Sequence, residues 1–442
     1  MHHRAQQVLR TFPEWRPRDF FHFEVLHQSK RSRARVGVLH TPHGRVDTPG
    51  FVAVGTNAAI KFVDRQQADA AGMQLMFCNT YHLLVHPGTD VVRNAGGLHS
   101  FMGRPDRPLI TDSGGFQVLS LSQRFRDDGQ PLMPGEPAHT EGGAETPAEA
   151  NEPAEAGSRA ARTVGRELKS GRHVAARGKY ATGTTADAPM VRVTEEGVLL
   201  RSYRDGSPIM LTPETSVDAQ KAFGADIIIP LDELPAHSTS RDTLEAAMRR
   251  THLWEERSLA RHLEDVRQQA MYAVVHGGTD DVLRRSSAEH LRALPFDGFA
   301  VGGSLGRDRD EMVGMLRNLM PLLPAERPTH LLGIADDLSV PACVGFGVDT
   351  FDSCWPTRLG RHGTLLTRRG RIKINRAQHR NDYGPIDEAC DGYVSTNYSR
   401  AYLHHLWKAH EPLVHTLLTL HNIKFMADMC AELRLRILRD EI

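Results

Sequence analysis

Three aspartates, each at the end of a short apolar run, are the residues of this sequence best suited to covalent chemistry. Asp112 follows Leu109-Ile110-Thr111 and opens Asp-Ser-Gly-Gly, Asp232 follows the run Asp226 to Leu231, and Asp352 follows Val348 to Phe351. His276 ends a fourth run, Tyr272 to Val275, just ahead of Gly277-Gly278, and a fifth run, Gly298 to Val301, ends in Gly302-Gly303. A single aspartate in such a place is an ordinary helix cap. Three of them with a histidine, brought to one face, can share general acid–base work or attack an anomeric carbon. The Gly-Gly steps let a planar ligand approach the backbone and meet its N–H donors. The constellation describes a carboxylate site with no obvious metal cage.

Bringing these residues together requires a particular architecture. Three more runs of the same kind, Phe51 to Val54, Leu75 to Cys78 and His330 to Leu332, raise the number to eight. Runs that are β-favouring and apolar throughout suit strands buried on both faces. Helical periodicity follows most of them, over 217–223, 241–264, 282–294 and 309–323. Eight strands alternating with helices predict an α/β fold, a (β/α)8 TIM barrel over 23–386, whose active face lies at the C-terminal strand ends. Residues 1–22 read as an N-terminal extension and 387–442 as an appended C-terminal helical subdomain without further strands. Between the third and fourth strands, about 123–187, apolar periodicity disappears into Pro, Ala, Glu, Gly, Thr and Arg. Such a segment buries too little surface to offset its ordering entropy, so a disordered insertion is expected there.

Composition narrows the partners. The 442 residues carry 54 Lys plus Arg against 54 Asp plus Glu, a net charge of zero that excludes a uniformly basic nucleic-acid binder. The zero is a sum of unlike blocks, because Thr357 to Arg380 holds eight Lys plus Arg and no acid, directly after the run that leads to Asp352. Same-sign charge beside a carboxylate site favours a polyanion such as a phosphate backbone. No stretch approaches the roughly 18 apolar residues of a membrane span. Five scattered cysteines argue against a disulfide framework and for a reducing compartment. A cytoplasmic protein is expected, with Arg4, Arg10, Arg16 and Arg18 leaving a weak case for an organellar presequence.

At these residues the sequence resembles the tRNA-guanine transglycosylase (queuine tRNA-ribosyltransferase) family, most of all its chlamydial branch. The resemblance is carried by FCNTYHLLVHPG, ITDSGGFQVLSLS, ADIIIPLDELP, HGGTDDVLRR, FDGFAVGGSLG, HLLGIADD, GVDTFDSCWPTRLGRHG and NYSRAYLHHLWKAHEPLVHTLLTLHN, in order from about His27 to Asn422. It implies exchange of guanine 34 at the tRNA wobble position for a 7-deazaguanine, queuine or its aminomethyl precursor (preQ1), through a covalent aspartyl–ribosyl intermediate and without a chemical cofactor. By resemblance Asp352 is the nucleophile and Asp112 the general acid/base. Asp232 reads the N1 and N2 edge of the purine, Gly303 with Ser304 meets its O6 side, and Phe116 and Leu332 sandwich it. His276 stands where many members have Gln, and a His can read a purine edge in one tautomer. The anticodon loop is expected to meet Gly333, Asp336, Asp337 and Ser339 in one loop and Thr357, Arg358 and Arg361 in another. Tyr398, Tyr402 and His405 match a subunit interface, implying a homodimer or heterodimer.

Two further places depart from the family pattern. The family's zinc site is Cys-x-Cys-x-x-Cys plus a distant His, whereas this chain has Cys390, Gly392, Ser395 and His421, so little or no zinc is expected. The loop after Gly303, Ser304 to Arg307, lacks a clear counterpart of the acid that meets an aminomethyl group, which favours queuine as the incoming base. Two further readings stay open. A non-catalytic RNA-binding partner subunit would suit the depleted zinc motif but not the aspartate trio. A barrel glycoside hydrolase would leave the basic stretch and the Phe116/Leu332 clamp without purpose.

Overall fold

The computed structural model describes residues 11–115, 191–237 and 239–442. Phe116 and the expected insertion at 123–187 lie outside the described residues. The strands in chain order are β1 (His22–Gln28), β2 (Arg35–Thr41), β3 (Gly44–Thr48), β4 (Gly50–Val54), β5 (Leu75–Cys78), β6 (Leu109–Thr111), β7 (Val191–Val193) and β8 (Val198–Arg201). Then come β9 (Pro208–Leu211), β10 (Ile227–Ile228), β11 (Ala270–Val275), β12 (Gly298–Val301), β13 (Thr329–Leu331), β14 (Thr350–Ser353), β15 (Thr364–Thr367) and β16 (Gly370–Lys373).

The eight apolar runs form one closed parallel barrel in the order β4-β5-β6-β10-β11-β12-β13-β14, with β14 returning to β4. Alternation along each strand sorts its residues into two layers. Val52, Leu75, Phe77, Ile110, Ile227, Tyr272, Val274 and Ala300 fill the interior. Ala53, Met76, Cys78, Met271, Ala273, Val275, Phe299 and Val301 face the surrounding helices.

Two boundaries differ from the sequence expectation for identifiable reasons. The run 226–231 keeps only Ile227–Ile228 as strand. Pro230 has no N–H for the ladder, and the Gln220 side chain takes over at Ile229, accepting its N–H at 3.0 Å and donating to its carbonyl at 2.8 Å. At the other shift, β14 extends through Asp352 and Ser353, so Asp352 lies in the strand rather than after it.

The sequence runs did not announce the smaller sheets. β1, β2 and β3 form an antiparallel sheet whose Leu39 and Val46, with Phe21, join the interior cluster of the barrel. Arg35 fixes that sheet to the barrel by a buried two-pronged bond to Asp349 at 2.8 and 2.6 Å. A second antiparallel sheet, β7-β8-β9, packs Val198, Leu200 and Leu211 with Tyr81, Leu231 and Trp254. The basic stretch contains the hairpin β15-β16.

The C-terminal segment is helical, as expected, with helices Tyr393–Asn397, Arg400–Lys408 and Leu413–Leu438. The last of these shares the core of the barrel helices through Leu417, Leu418, Phe425 and Met426. It crosses Trp355–Arg361 closely, since a Cβ on Gly360 would lie 2.9 Å from the Leu418 carbonyl. Asn422, fully buried in it, donates to the carbonyls of Pro356 and Thr364 and accepts from the Leu366 N–H. Among the described residues no helix is long and apolar enough to cross a membrane.

Candidate active site

Asp112 stands just past β6 and is held by the neighbouring strand end. Asn79 caps the helix Thr80–Val85 with its side-chain oxygen and turns its amide to donate to Asp112 Oδ2. The Thr80 N–H donates to Asp112 Oδ1 at 2.7 Å, and its hydroxyl donates to the Asp112 carbonyl at 2.6 Å. Withdrawal from water raises the Asp112 carboxyl to about 7; the Thr80 and Gly114 N–H groups oppose this, and the charges of Asp232 and Asp352 add to it. That mutual influence puts the three aspartates in one electrostatic site.

Asp232 is buried and braced on both oxygens. The Ser113 hydroxyl donates to Oδ1 at 3.1 Å and His276 Nε2 donates to Oδ2 at 3.0 Å. Gly115 is required beside it, because a Cβ there would sit 2.5 Å from Asp232 Oδ1. His276, at 2 % exposure, stands behind Asp232. Its other nitrogen, Nδ1, would lie 3.0 Å from a Cβ on Gly303, a residue with φ +76°. Leu332 leans over the adjoining Gly302, whose absent Cβ would lie 3.2 Å from Leu332 Cδ1.

Asp352 is also buried. Its Oδ1 accepts from His330 Nε2 at 3.0 Å and from the Gly333 N–H at 2.8 Å. His330, wholly buried, receives the Thr350 hydroxyl on Nδ1 at 2.8 Å, which fixes the proton on Nε2. Both donors use one oxygen, and among the described residues none donates to Oδ2.

Sequence reasoning missed four supports of the trio: Asn79, Ser113, His330 and Arg284. Arg284 is fully buried in the helix Asp281–Arg292 and donates to four carbonyls, Gly278, Val275, Gly302 and Ser304, at 2.5 to 3.0 Å. Burial brings its guanidinium down to about 9. By holding carbonyls from the ends of β11 and β12, Arg284 sets the direction in which the Gly302-Gly303-Ser304 turn presents its remaining groups. A pattern of residue types could not reveal this, because the contacts join the end of the strand before its helix to the end of the next strand.

The other expected contacts divide. Ser304 meets His237 Nδ1 at 2.7 Å through its hydroxyl. Asp336, two residues ahead of the Leu338 cap of the helix Ser339–Val344, accepts from the Leu338 and Ser339 N–H groups, and the Ser339 hydroxyl accepts from Arg309. Asp337 pairs with Arg371 at 2.6 Å, and Arg371 lies over the Trp355 ring, so the 333–339 loop is tied to the basic hairpin. Arg358 is exposed and Arg361 half-buried, whereas Thr357 is buried with its hydroxyl on the Cys354 carbonyl. Arg368 and Arg369 pair with Glu432 and Glu388. Cys390 lies beside Gly392 in the loop ahead of the helix Tyr393–Asn397, and Ser395 within that helix meets His421 of the helix Leu413–Leu438. Tyr398 and Tyr402 stack with ring centroids 5.6 Å apart, and His405 is exposed on the same helix as Tyr402.

Residues 29–133 and 173–442 match the family model described as Queuine tRNA-ribosyltransferase. A relative named queuine tRNA-ribosyltransferase from Protochlamydia amoebophila is 47% identical over 96% of this chain and 97% of its own length. Relatives of the same name from Chlamydia abortus and Chlamydia trachomatis serovar L2 are 45% and 43% identical, each over 95% of this chain and 99% of their own. With a closed (β/α)8 barrel that carries the three aspartates on its strand ends, the chain belongs to the queuine tRNA-ribosyltransferase family.

Proposed function

We infer that this chain performs tRNA-guanine transglycosylation by two displacements at Asp352. The carrying observation is the asymmetry of that carboxylate: Oδ1 is bound by His330 and Gly333, so Oδ2 is left to attack C1′ of the flipped-out wobble nucleotide. Guanine leaves as Asp112, raised to about 7, donates a proton towards it. A 7-deazaguanine then attacks C1′ from the vacated face and Asp112 takes back the proton. Two inversions give net retention, as in retaining glycosidases.

Asp232 supplies the selectivity. Braced by Ser113 and His276, it keeps lone pairs for the N1–H and exocyclic amine of a guanine-like edge. Adenine offers an acceptor at N1, and a buried unpaired edge costs about 1–3 kcal/mol. His276 thus acts through Asp232, with its Nε2–H committed to the carboxylate. Leu332 forms one wall against the base, and Phe116 is the proposed other wall. Arg358 and Arg361 meet the anticodon-loop phosphates, and the Tyr398/Tyr402 stack with His405 forms a subunit interface.

Queuine is the proposed incoming base. Of the acids that follow the Ser304–Arg307 loop, Asp308 caps the helix Arg309–Leu319 by accepting the Glu311 N–H, and Glu311 accepts from the Arg307 N–H and pairs with its guanidinium, so both are engaged within the protein. Radiolabelled guanine exchange into tRNA, chased with queuine or with preQ1, tests both points. Wild type should exchange, and queuine should displace label better. A chain that exchanges nothing overturns the catalytic reading, and a strong preference for preQ1 overturns the base preference alone.

A further inference from the structure

The zinc site usual in this family does not fit the residues present here, and we propose that a metal-free polar latch has replaced it. Structural zinc needs four nitrogen or sulfur donors in a closed tetrahedron. Cys390 and His421 remain, but Gly392 offers no donor and Ser395 offers only a hydroxyl. That hydroxyl bonds His421 Nδ1 at 3.3 Å, while His421 Nε2 donates to the Leu366 carbonyl at 2.7 Å. Both ring nitrogens are therefore engaged within the protein.

Lys424 closes the remaining space. It lies one turn beyond His421 on the helix Leu413–Leu438, and a Cβ on Gly392 would fall 2.7 Å from its Cγ and 3.3 Å from Cys390 Sγ. A second thiolate, at position 392, could enter only by displacing the lysine stem. The ammonium group bonds Asp391 at 2.8 Å and Asp428 at 2.6 Å. The link a metal would make, from the loop at 390–395 to the helix, is made instead by Lys424–Asp391 and Ser395–His421.

The test begins with intact wild-type chain grown with added zinc and dialysed. Mass spectrometry of its metals should find less than about 0.1 zinc per chain, and a strong chelator should leave Tm unchanged. One zinc per chain, or a chelator-dependent fall in Tm, overturns the proposal. Hydrogen exchange of 388–397 should quicken in Lys424→Met; unchanged exchange overturns the role of the ion pair. A folded Gly392→Cys, Ser395→Cys, Lys424→Ala variant should take up about one zinc. If it takes up none, the lost donors and the lysine are not what excludes the metal.

Discussion

At the level of single residues, Asp112 sets how the exchange responds to pH. Its carboxyl is raised to about 7 by burial first and by Asp232 and Asp352 next, so the acid form needed by the departing guanine fades above that pH. The same shift has a stability sign. A folded-state pKa above the unfolded value gives stability that is fully present below about pH 4 and lost as pH rises through about 7. Asp112→Asn should therefore gain on wild type, on the order of 2 kcal/mol, between pH 5 and pH 8 while losing exchange. Thermal unfolding at the two pH values checks this, and a pH-independent difference would count against it. Arg284 makes a separate prediction. Arg284→Lys, with three donors on one point instead of a planar fork, should raise the KM for guanine about tenfold with little change in the KM for tRNA. Equal effects on both would mean a general loss of structure. Asp112, Asp232 and Asp352 were legible because strand-end aspartates follow a local pattern. His330 and Arg284 were not, since a histidine in an apolar run and an arginine in a polar helix acquire roles only through tertiary partners, Asp352 for the one and four backbone carbonyls for the other.

Elements were read best where burial made them uniform. All eight barrel strands showed as apolar runs because both their faces are covered. The sheet β1-β2-β3 escaped notice for the opposite reason: β1, His-Phe-Glu-Val-Leu-His-Gln, is mostly exposed and shows no clean apolar face. Helix ends were set by chemistry that periodicity overlooks. The helix expected over 309–323 stops at Leu319, and a short 3-10 turn takes over with Pro321 inside it. The base of the barrel has its own fastening. Asp226 accepts from the His43 and Leu109 N–H groups, from His43 Nδ1 and from His99 Nε2 at 2.8 to 3.2 Å, and the two imidazoles stack at 3.5 Å. Burial alone would raise its carboxyl, but the bonds and charges of His43 and His99 bring it to about 2. This stabilisation is present above about pH 4 and is lost as pH falls through about 2. Asp226→Ala should cost about 3 kcal/mol by denaturant unfolding at pH 7 and much less at pH 2. A variant as stable as wild type at pH 7 would remove Asp226 from the list of barrel supports.

Over the whole molecule, the zero net charge conceals a division of labour. The basic stretch after Asp352 reads from sequence as eight free cations, yet Arg368, Arg369 and Arg371 are bound to Glu432, Glu388 and Asp337. Spacing could not show this, because the three acids lie 19 to 64 positions away along the chain. The exposed Arg358 stands just past the strand that holds Asp352, the proposed nucleophile. The barrel thus joins a basic edge to a buried, hydrogen-bonded carboxylate trio, and the proposed covalent step at Asp352 would link them. The most direct measurement is to mix the pure chain with substrate tRNA and 9-deazaguanine, denature without boiling, and map any protein–RNA adduct by mass spectrometry. An adduct on Asp352, absent from Asp352→Asn, is the expected result. Exchange that proceeds in Asp352→Asn, or an adduct on another residue, would contradict it.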